Sequence, residues 1–350
     1  MTFQPDYHNL LDAALNREPQ RLPLYEHLVD CTVMEELMGV KFSHLHDTDK
    51  AAFFREYCRF FREMGYDTVS FEACVSGVLP GGGALGGHKK GAIQSREDFE
   101  KYPWDTIEEL YFQTFSQDFQ ALREAMPEGM RAVGGVGNGV FECVQDLVGY
   151  MDLCYMQEDD PELYADLFLR VGEILLSIWK RFLGEYGDIY CVCRFGDDLG
   201  FKSTTLLQPQ EIRDHIIPQY RRIIKAVHEA GKPFLLHSCG NIFNIMDDLI
   251  DAGIDAKHSN EDQIALFPVW VERYGSQIGN FGGIDTDAVC RLPKAEMTAY
   301  IQKVVEQCQG HGGFAFGSGN SIPNYVPAGQ YLHMIHCVRA LRGEDFSLEE

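Results

Sequence analysis

The run Leu235-Leu-His-Ser-Cys-Gly-Asn241 sets an imidazole and a thiol two residues apart at the end of a short apolar segment. Side chains alternate along a strand, so His237 and Cys239 face the same side. A nitrogen and a sulfur ligand so placed suit zinc. Two ligands do not complete a site; Glu72, Glu26, Cys74 and Asp197 each offer a third, and spacing alone does not choose. The competing reading is a polar strand end in which His237 orients a substrate and Cys239 packs. A second constellation, Gly196-Asp-Asp-Leu-Gly200, pairs two carboxylates between glycines. Asp197 or Asp198 can serve as acid or base, or hold a hydroxyl or cationic group. Either can instead cap a helix or brace its own loop. Gly317-Ser-Gly-Asn320 with Ser321 can expose backbone N–H groups to a phosphate, although a tight turn explains it as well. His88-Lys89-Lys90 is the densest positive charge, either closing over an anion or forming a solvated loop tip.

These residues need elements to hold them. Eight β-branched or apolar runs read as strands: Leu22–His27, Thr68–Glu72, Arg131–Gly135, Ile189–Arg194, Phe234–His237, Asp255–His258, Ile278–Gly282 and Gly313–Phe316. Helical patterns lie between them, clearest over Glu162–Phe182, Pro209–Ala230, Ile242–Ala252 and Lys294–Gln309. Strand–helix alternation implies parallel strands with crossover helices, and eight repeats imply a closed (β/α)8 TIM barrel. Residues 1–350 read as one domain, with an N-terminal helical extension over 1–20 and a Gly-rich insertion loop over 80–91. In such a barrel, polar residues at strand C-termini point into the site. Glu72, Asp197 and Asp198 are then the candidate catalytic groups, with Glu72 the preferred third metal ligand. Glu26, Arg194, His258, Asp285 and Asn320 are the candidate substrate contacts.

The totals limit the partners. Lys and Arg number 30 against 53 Asp and Glu, a formal net charge of −23. Nucleic acid needs a basic face, so it is not expected. The 11 cysteines are odd in number and lack framework spacing, which reads as free thiols in a reducing, cytoplasmic setting. The opening 16 residues lack a basic-then-apolar leader pattern, and no uncharged apolar run approaches membrane-spanning length.

Taken in order, several short segments carry a resemblance. They are Leu15-Asn-Arg-Glu-Pro-Gln-Arg-Leu-Pro23, Gly196–Gly200, Leu235–Asn241, Asp251-Ala-Gly-Ile-Asp255, Phe281-Gly-Gly-Ile-Asp285 and Gly319-Asn-Ser-Ile-Pro323. Over nearly its whole length the chain resembles the uroporphyrinogen decarboxylase superfamily. The resemblance implies one of two chemistries: decarboxylation of uroporphyrinogen, or methyl transfer to or from cobalamin on a partner corrinoid protein. The methyltransferases hold zinc with a His-x-Cys pair, matched here by His237 and Cys239, and a distant third ligand. That third ligand, typically a Cys after the last strand, falls at or near Asn320. The decarboxylases carry an Arg-rich N-terminal segment, where this chain has Leu24-Tyr-Glu-His-Leu28. An eight-carboxylate substrate needs several fixed guanidinium groups, and the strand ends supply Arg194 among many acids. The methyltransferase branch therefore ranks first, the decarboxylase second. A non-catalytic barrel binding a tetrapyrrole or corrinoid is the third reading. The resemblance also implies a homodimer covering part of the barrel rim.

Overall fold

The structure, a computed structural model, describes residues 3–87 and 89–344, so His88 of the basic run lies outside the described residues. Among the described residues seven parallel strands follow chain order around a curled sheet. They are β1 (Thr68–Cys74), β2 (Arg131–Gly137), β3 (Tyr190–Gly196), β4 (Phe234–His237), β5 (Ala256–His258), β6 (Gly279–Ile284) and β7 (Phe314–Ser318). Helices carry the chain between strands, as parallel pairing requires. The longest, Pro161–Tyr186, starts where Asp160 accepts the Leu163 N–H at 3.0 Å ahead of Pro161, whose missing N–H costs nothing there. Its face of Leu163, Leu167, Val171, Leu175, Ile178 and Phe182 is buried. The helical pattern from Pro209 is present but widens to a π turn over Ile212–Ile216 just before Pro218, which cannot donate to the helical ladder.

The eighth strand expected at Leu22–His27 is a correction. The segment meets β7 only at isolated parallel bridges, Leu24 with Phe316 and Val29 with Ile322. Tyr25 N–H donates to Phe316 O at 2.8 Å, and Phe316 N–H donates to Pro23 O at 2.9 Å. Toward β1 it is a side chain that makes the bond, Ser70 Oγ donating to the His27 carbonyl at 2.6 Å. Pro23 has no N–H to extend a ladder. The sheet is thus seven-stranded and curled, short of a closed eight-stranded barrel.

Inside the curl, Tyr25, Val133, Cys191, Leu235, Ala256, Phe281 and Ala315 form an inner core. The helix His8–Ala14 adds Leu10, Ala13 and Ala14 to that same core. The N-terminal extension therefore plugs the bottom of the curl, which leaves the strand C-termini as the open face. The Gly-rich segment is tied down: Ala84 N–H donates to Asp146 O at 3.2 Å, and Leu85 N–H to Asp146 Oδ1 at 3.2 Å. Among the described residues no helix is long and apolar enough to cross a membrane.

Gly317 lets the Leu22–Val29 segment approach β7, because a Cβ there would lie 1.7 Å from Tyr25 O. Gly317→Ala should lower stability by about 1–3 kcal/mol, read as a reduced urea midpoint. Gly329→Ala, where a Cβ meets open space on a helix, should leave the midpoint unchanged or raise it.

Candidate functional site

Strand register builds the site. β3 aligns Gly196 with His237, and β4 aligns His237 with His258. Both histidines are buried, with Nδ1 atoms 2.7 Å apart. His258 Nε2 lies 3.0 Å from the Ser318 carbonyl oxygen, which can only accept. His258 therefore carries its proton on Nε2, and its Nδ1 accepts from His237 Nδ1–H. That leaves a lone pair on His237 Nε2. Burial, then the neighbouring His258, holds the His237 pKa well below its usual value, and burial takes His258 down to about 3, so both rings are neutral.

The free nitrogen faces two further ligand atoms. Cys239 Sγ is 3.4 Å from His237 Nε2, and Asp198 Oδ1 is 3.9 Å away. Asp198 Oδ1 also accepts the Cys239 N–H at 2.8 Å, and Asn320 Nδ2 donates to Cys239 Sγ at 3.4 Å. Burial and the Asp198 carboxylate push the Cys239 thiol well up, favouring S–H until a cation replaces the proton. A tetrahedral zinc, with bonds of about 2.0 Å to nitrogen and about 2.3 Å to sulfur, separates those ligands by roughly 3.5 Å. The His237–Cys239 spacing fits that ion. Among the described residues Asp198, His237 and Cys239 form one possible ligand group, and His27, His237 and His258 another. In the second, both His258 nitrogens already have partners. The His27 ring stacks on His237 at 3.9 Å.

The other expected residues are placed differently. Glu72, preferred above as third ligand, is held by Arg194, whose Nε and Nη2 donate to Glu72 Oε2 at 3.0 and 2.8 Å. Arg194 Nη1 donates to Tyr25 Oη and Ser70 Oγ, both at 2.8 Å. Arg194 is completely buried, so it braces the site from within the protein and offers no donor to a substrate. Asp197 accepts the N–H groups of Phe141 at 3.0 Å and Glu142 at 2.8 Å, and the Tyr220 hydroxyl at 2.6 Å. It anchors the start of the helix Val140–Val148, the capping alternative for this pair, while Asp198 points to the metal-ligand group. Glu26 is buried and binds Ser318, whereas Asp285 lies on the wall of a cavity, its oxygens accepting the Asp262 and Asp287 N–H groups at 2.7 Å. His258 orients His237 where a substrate contact was expected. Cys74 stays outside both ligand groups.

Two roles were missed. Ser318 acts through a backbone carbonyl, which residue type does not reveal. Glu142 sits beside the carboxylate pair, with Asn138 Nδ2 donating to its Oε2 at 2.8 Å. Burial, then Asp197 and Asp198, raises its pKa well above the carboxylate range. The acid lies in the first turn of a helix, where sequence shows only an ordinary helix-start glutamate. Beside the ligand group opens a cavity of about 610 Å3 at the ends of β5, β6 and β7, and Asn320 belongs to its wall.

Comparison with known proteins places this architecture. The family model Uroporphyrinogen decarboxylase (URO-D) matches residues 8–341. A curated relative, Uroporphyrinogen decarboxylase of Pelobacter propionicus, is 25% identical over 136 residues; that match covers 39% of this chain and 39% of the relative's length. Among solved structures, a methyltransferase from Methanosarcina mazei superposes with a TM-score of 0.71 at 15% identity, covering 97% of this chain and 99% of its own. A B12-independent methionine synthase from a Shewanella species gives a TM-score of 0.54 at 14% identity, covering 95% of this chain and 98% of that one. At these identities the structural likenesses show the shared fold.

Glu26 gives the site a pH signature. Burial raises its carboxyl from 4.5 to about 8, against the bonds from Ser318. The folded state then binds more protons than the unfolded state between about 4.5 and about 8, so stability falls as pH rises through that window. Glu26→Gln removes this term. Urea midpoints should show the variant gaining on the native protein from pH 5 to pH 8.5, with a steepest slope approaching about 1.4 kcal/mol per pH unit.

Proposed function

The chain belongs to the uroporphyrinogen decarboxylase family, and from that premise we propose that it is a methyltransferase. It would move a methyl group between a small molecule and cobalamin carried by a corrinoid protein, using zinc held by His237, Cys239 and Asp198. One observation carries this reading. A neutral histidine nitrogen, a thiol sulfur and a carboxylate oxygen converge at the open face, and the His258–Ser318 relay aims that nitrogen's lone pair. Zinc bound there supplies Lewis-acid chemistry, holding a thiol acceptor as thiolate or polarising the oxygen of an ether donor.

The protein's own residues do the rest. His258 fixes the His237 tautomer, as partners behind a metal-binding histidine commonly do. The Cys239 N–H fixes Asp198 Oδ1. Asn320 donates to Cys239 Sγ, which favours thiolate charge on that sulfur. Asn320 thus supports the group from the position where the resemblance placed a ligand. His27 stacks on one face of the His237 ring, and a corrinoid protein would approach the ligand group from the strand ends.

The decarboxylase alternative ranks second on a specific contact. Gripping a polycarboxylate needs free guanidinium groups, and all of the Arg194 donors named above serve Glu72, Tyr25 and Ser70. The non-catalytic carrier reading requires tight tetrapyrrole or corrinoid binding without turnover.

Zinc content and zinc affinity test the proposal, read by metal analysis and competition with a chromophoric chelator. The native protein should hold roughly one zinc per chain. Cys239→Ala should lose it together with methyl transfer, and His258→Ala should weaken zinc by about 10–100-fold. Full zinc occupancy in Cys239→Ala would remove the metal role, and CO2 release from uroporphyrinogen would then be the next assay.

A further inference from the structure

The cavity beside the ligand group carries information about what enters it. Its wall includes Lys202, Asn260, Glu261, Asp285, Asn320 and Tyr325. Asn260 is only 3% exposed, and its Oδ1 accepts the Gly283 N–H at 3.1 Å, which fixes the amide's orientation. The Nδ2 group is then the side left over, and this buried donor has no partner among the described residues. A buried amide donor without a partner costs about 1–3 kcal/mol, so the position calls for an oxygen acceptor from outside. Lys202 on the same wall pairs with no carboxylate among the described residues; its ammonium donates to the neutral Gln263 amide oxygen at 2.9 Å.

The remaining charges limit how much anion the cavity accepts. Asp285 is occupied by two backbone N–H groups, and Asp287 pairs with Arg291 at 2.9 Å. Glu261 is the wall acid with no hydrogen bond or ion pair to its carboxylate among the described residues. Two cations, Lys202 and Arg291, stand on a wall with three acids, Glu261, Asp285 and Asp287, so one anionic group can use Asn260 and Lys202 as donors while a second would face the unpaired Glu261. Asn320 joins this wall to Cys239 Sγ, so a ligand anchored at Asn260 extends toward the ligand group.

We infer that this cavity binds a small monocarboxylate, its carboxylate oxygen taken by Asn260 Nδ2 and Lys202 Nζ, with the methyl-bearing end directed to Cys239 and His237. The inference rests on the methyl-transfer reading for that direction, while the binding itself does not. A volume of about 610 Å3 accommodates a substituted benzoate with several waters.

The test is calorimetric titration of the native protein with 3-methoxybenzoate, its amide 3-methoxybenzamide, and 5-methoxyisophthalate as the dicarboxylate. The monocarboxylate should bind at least about tenfold more tightly than either of the others, in keeping with a charge-assisted bond. Asn260→Ala and, on an exposed loop where folding is not at issue, Lys202→Ala should each weaken it about tenfold, with zinc content unchanged. The same titration on Cys239→Ala separates the two ideas. Retained monocarboxylate preference in zinc-free Cys239→Ala leaves this inference standing whatever becomes of the metal reading, which the zinc content of the native protein decides separately. Equal affinity for acid and amide, no saturable binding of the acid, or full affinity in Lys202→Ala overturns it.

Discussion

The hydrogen bond between His237 Nδ1 and His258 Nδ1 is the contact on which the chemistry of the open face depends. It has a direction because the Ser318 carbonyl at the far end cannot donate. A proton on the wrong nitrogen would leave His237 Nε2–H pointing at Cys239 and Asp198, where no cation could then bind. The relay is set by backbone: β4 and β5 register places the two imidazoles side by side, and β7 supplies the carbonyl. Glu26 holds Ser318 through its N–H at 3.0 Å and its hydroxyl at 2.5 Å. Buried polar chains of this kind are costly when any member lacks a partner. Here the Leu22–Val29 segment has a function beyond packing, since it brings Glu26 to β7.

Beneath the histidines lies a second polar layer. Arg194, Glu72, Tyr25 and Ser70 bond one another inside the curl, and below them begins the apolar core closed by the helix His8–Ala14. A buried guanidinium is tolerable only with its donors occupied. The arrangement therefore commits Arg194 and Glu72 to each other and removes both from contact with a ligand. It also sets the lower limit of the reaction space, above which neutral rings, a thiol and Asp198 remain.

Much of this was legible in the sequence. Seven of the eight expected strands form, since alternating apolar runs between helical patterns leave little choice of topology. The expected strand at Leu22–His27 fails as a strand because pairing is a property of both neighbours, and Pro23 and the Ser70 hydroxyl alter it. His237 and Cys239 were visible because two-residue spacing on a strand dictates a shared side. The third member of their group was not. Asp198 reaches it by a loop turn, and choosing it over Asp197 depends on which carboxylate meets the Val140–Val148 helix N-terminus. Glu72 has the right type and strand position, yet it is bonded to the Arg194 guanidinium and lies outside both possible ligand groups. Residue type gives what a side chain can bond, and only the fold gives what it has already bonded.

That distinction bears on how chemistry diverges within one architecture. The family is that of uroporphyrinogen decarboxylase, and a methyltransferase shares this chain's fold, so the fold alone cannot select between the two chemistries. What selects is whether charge at the open face is free or internally paired. A protein of net charge −23 disfavours a polyanion at long range, and at short range its buried arginine is neutralised by Glu72. Among the donors on the cavity wall are the unpartnered Asn260 Nδ2 and the ammonium of Lys202. A neutral amide and one ammonium match a single carboxylate, while the soft sulfur and the neutral imidazole beside them match a metal ion. The two sets meet at Asn320, which touches both. A ligand held by the first set would lie within the span of one side chain of the second.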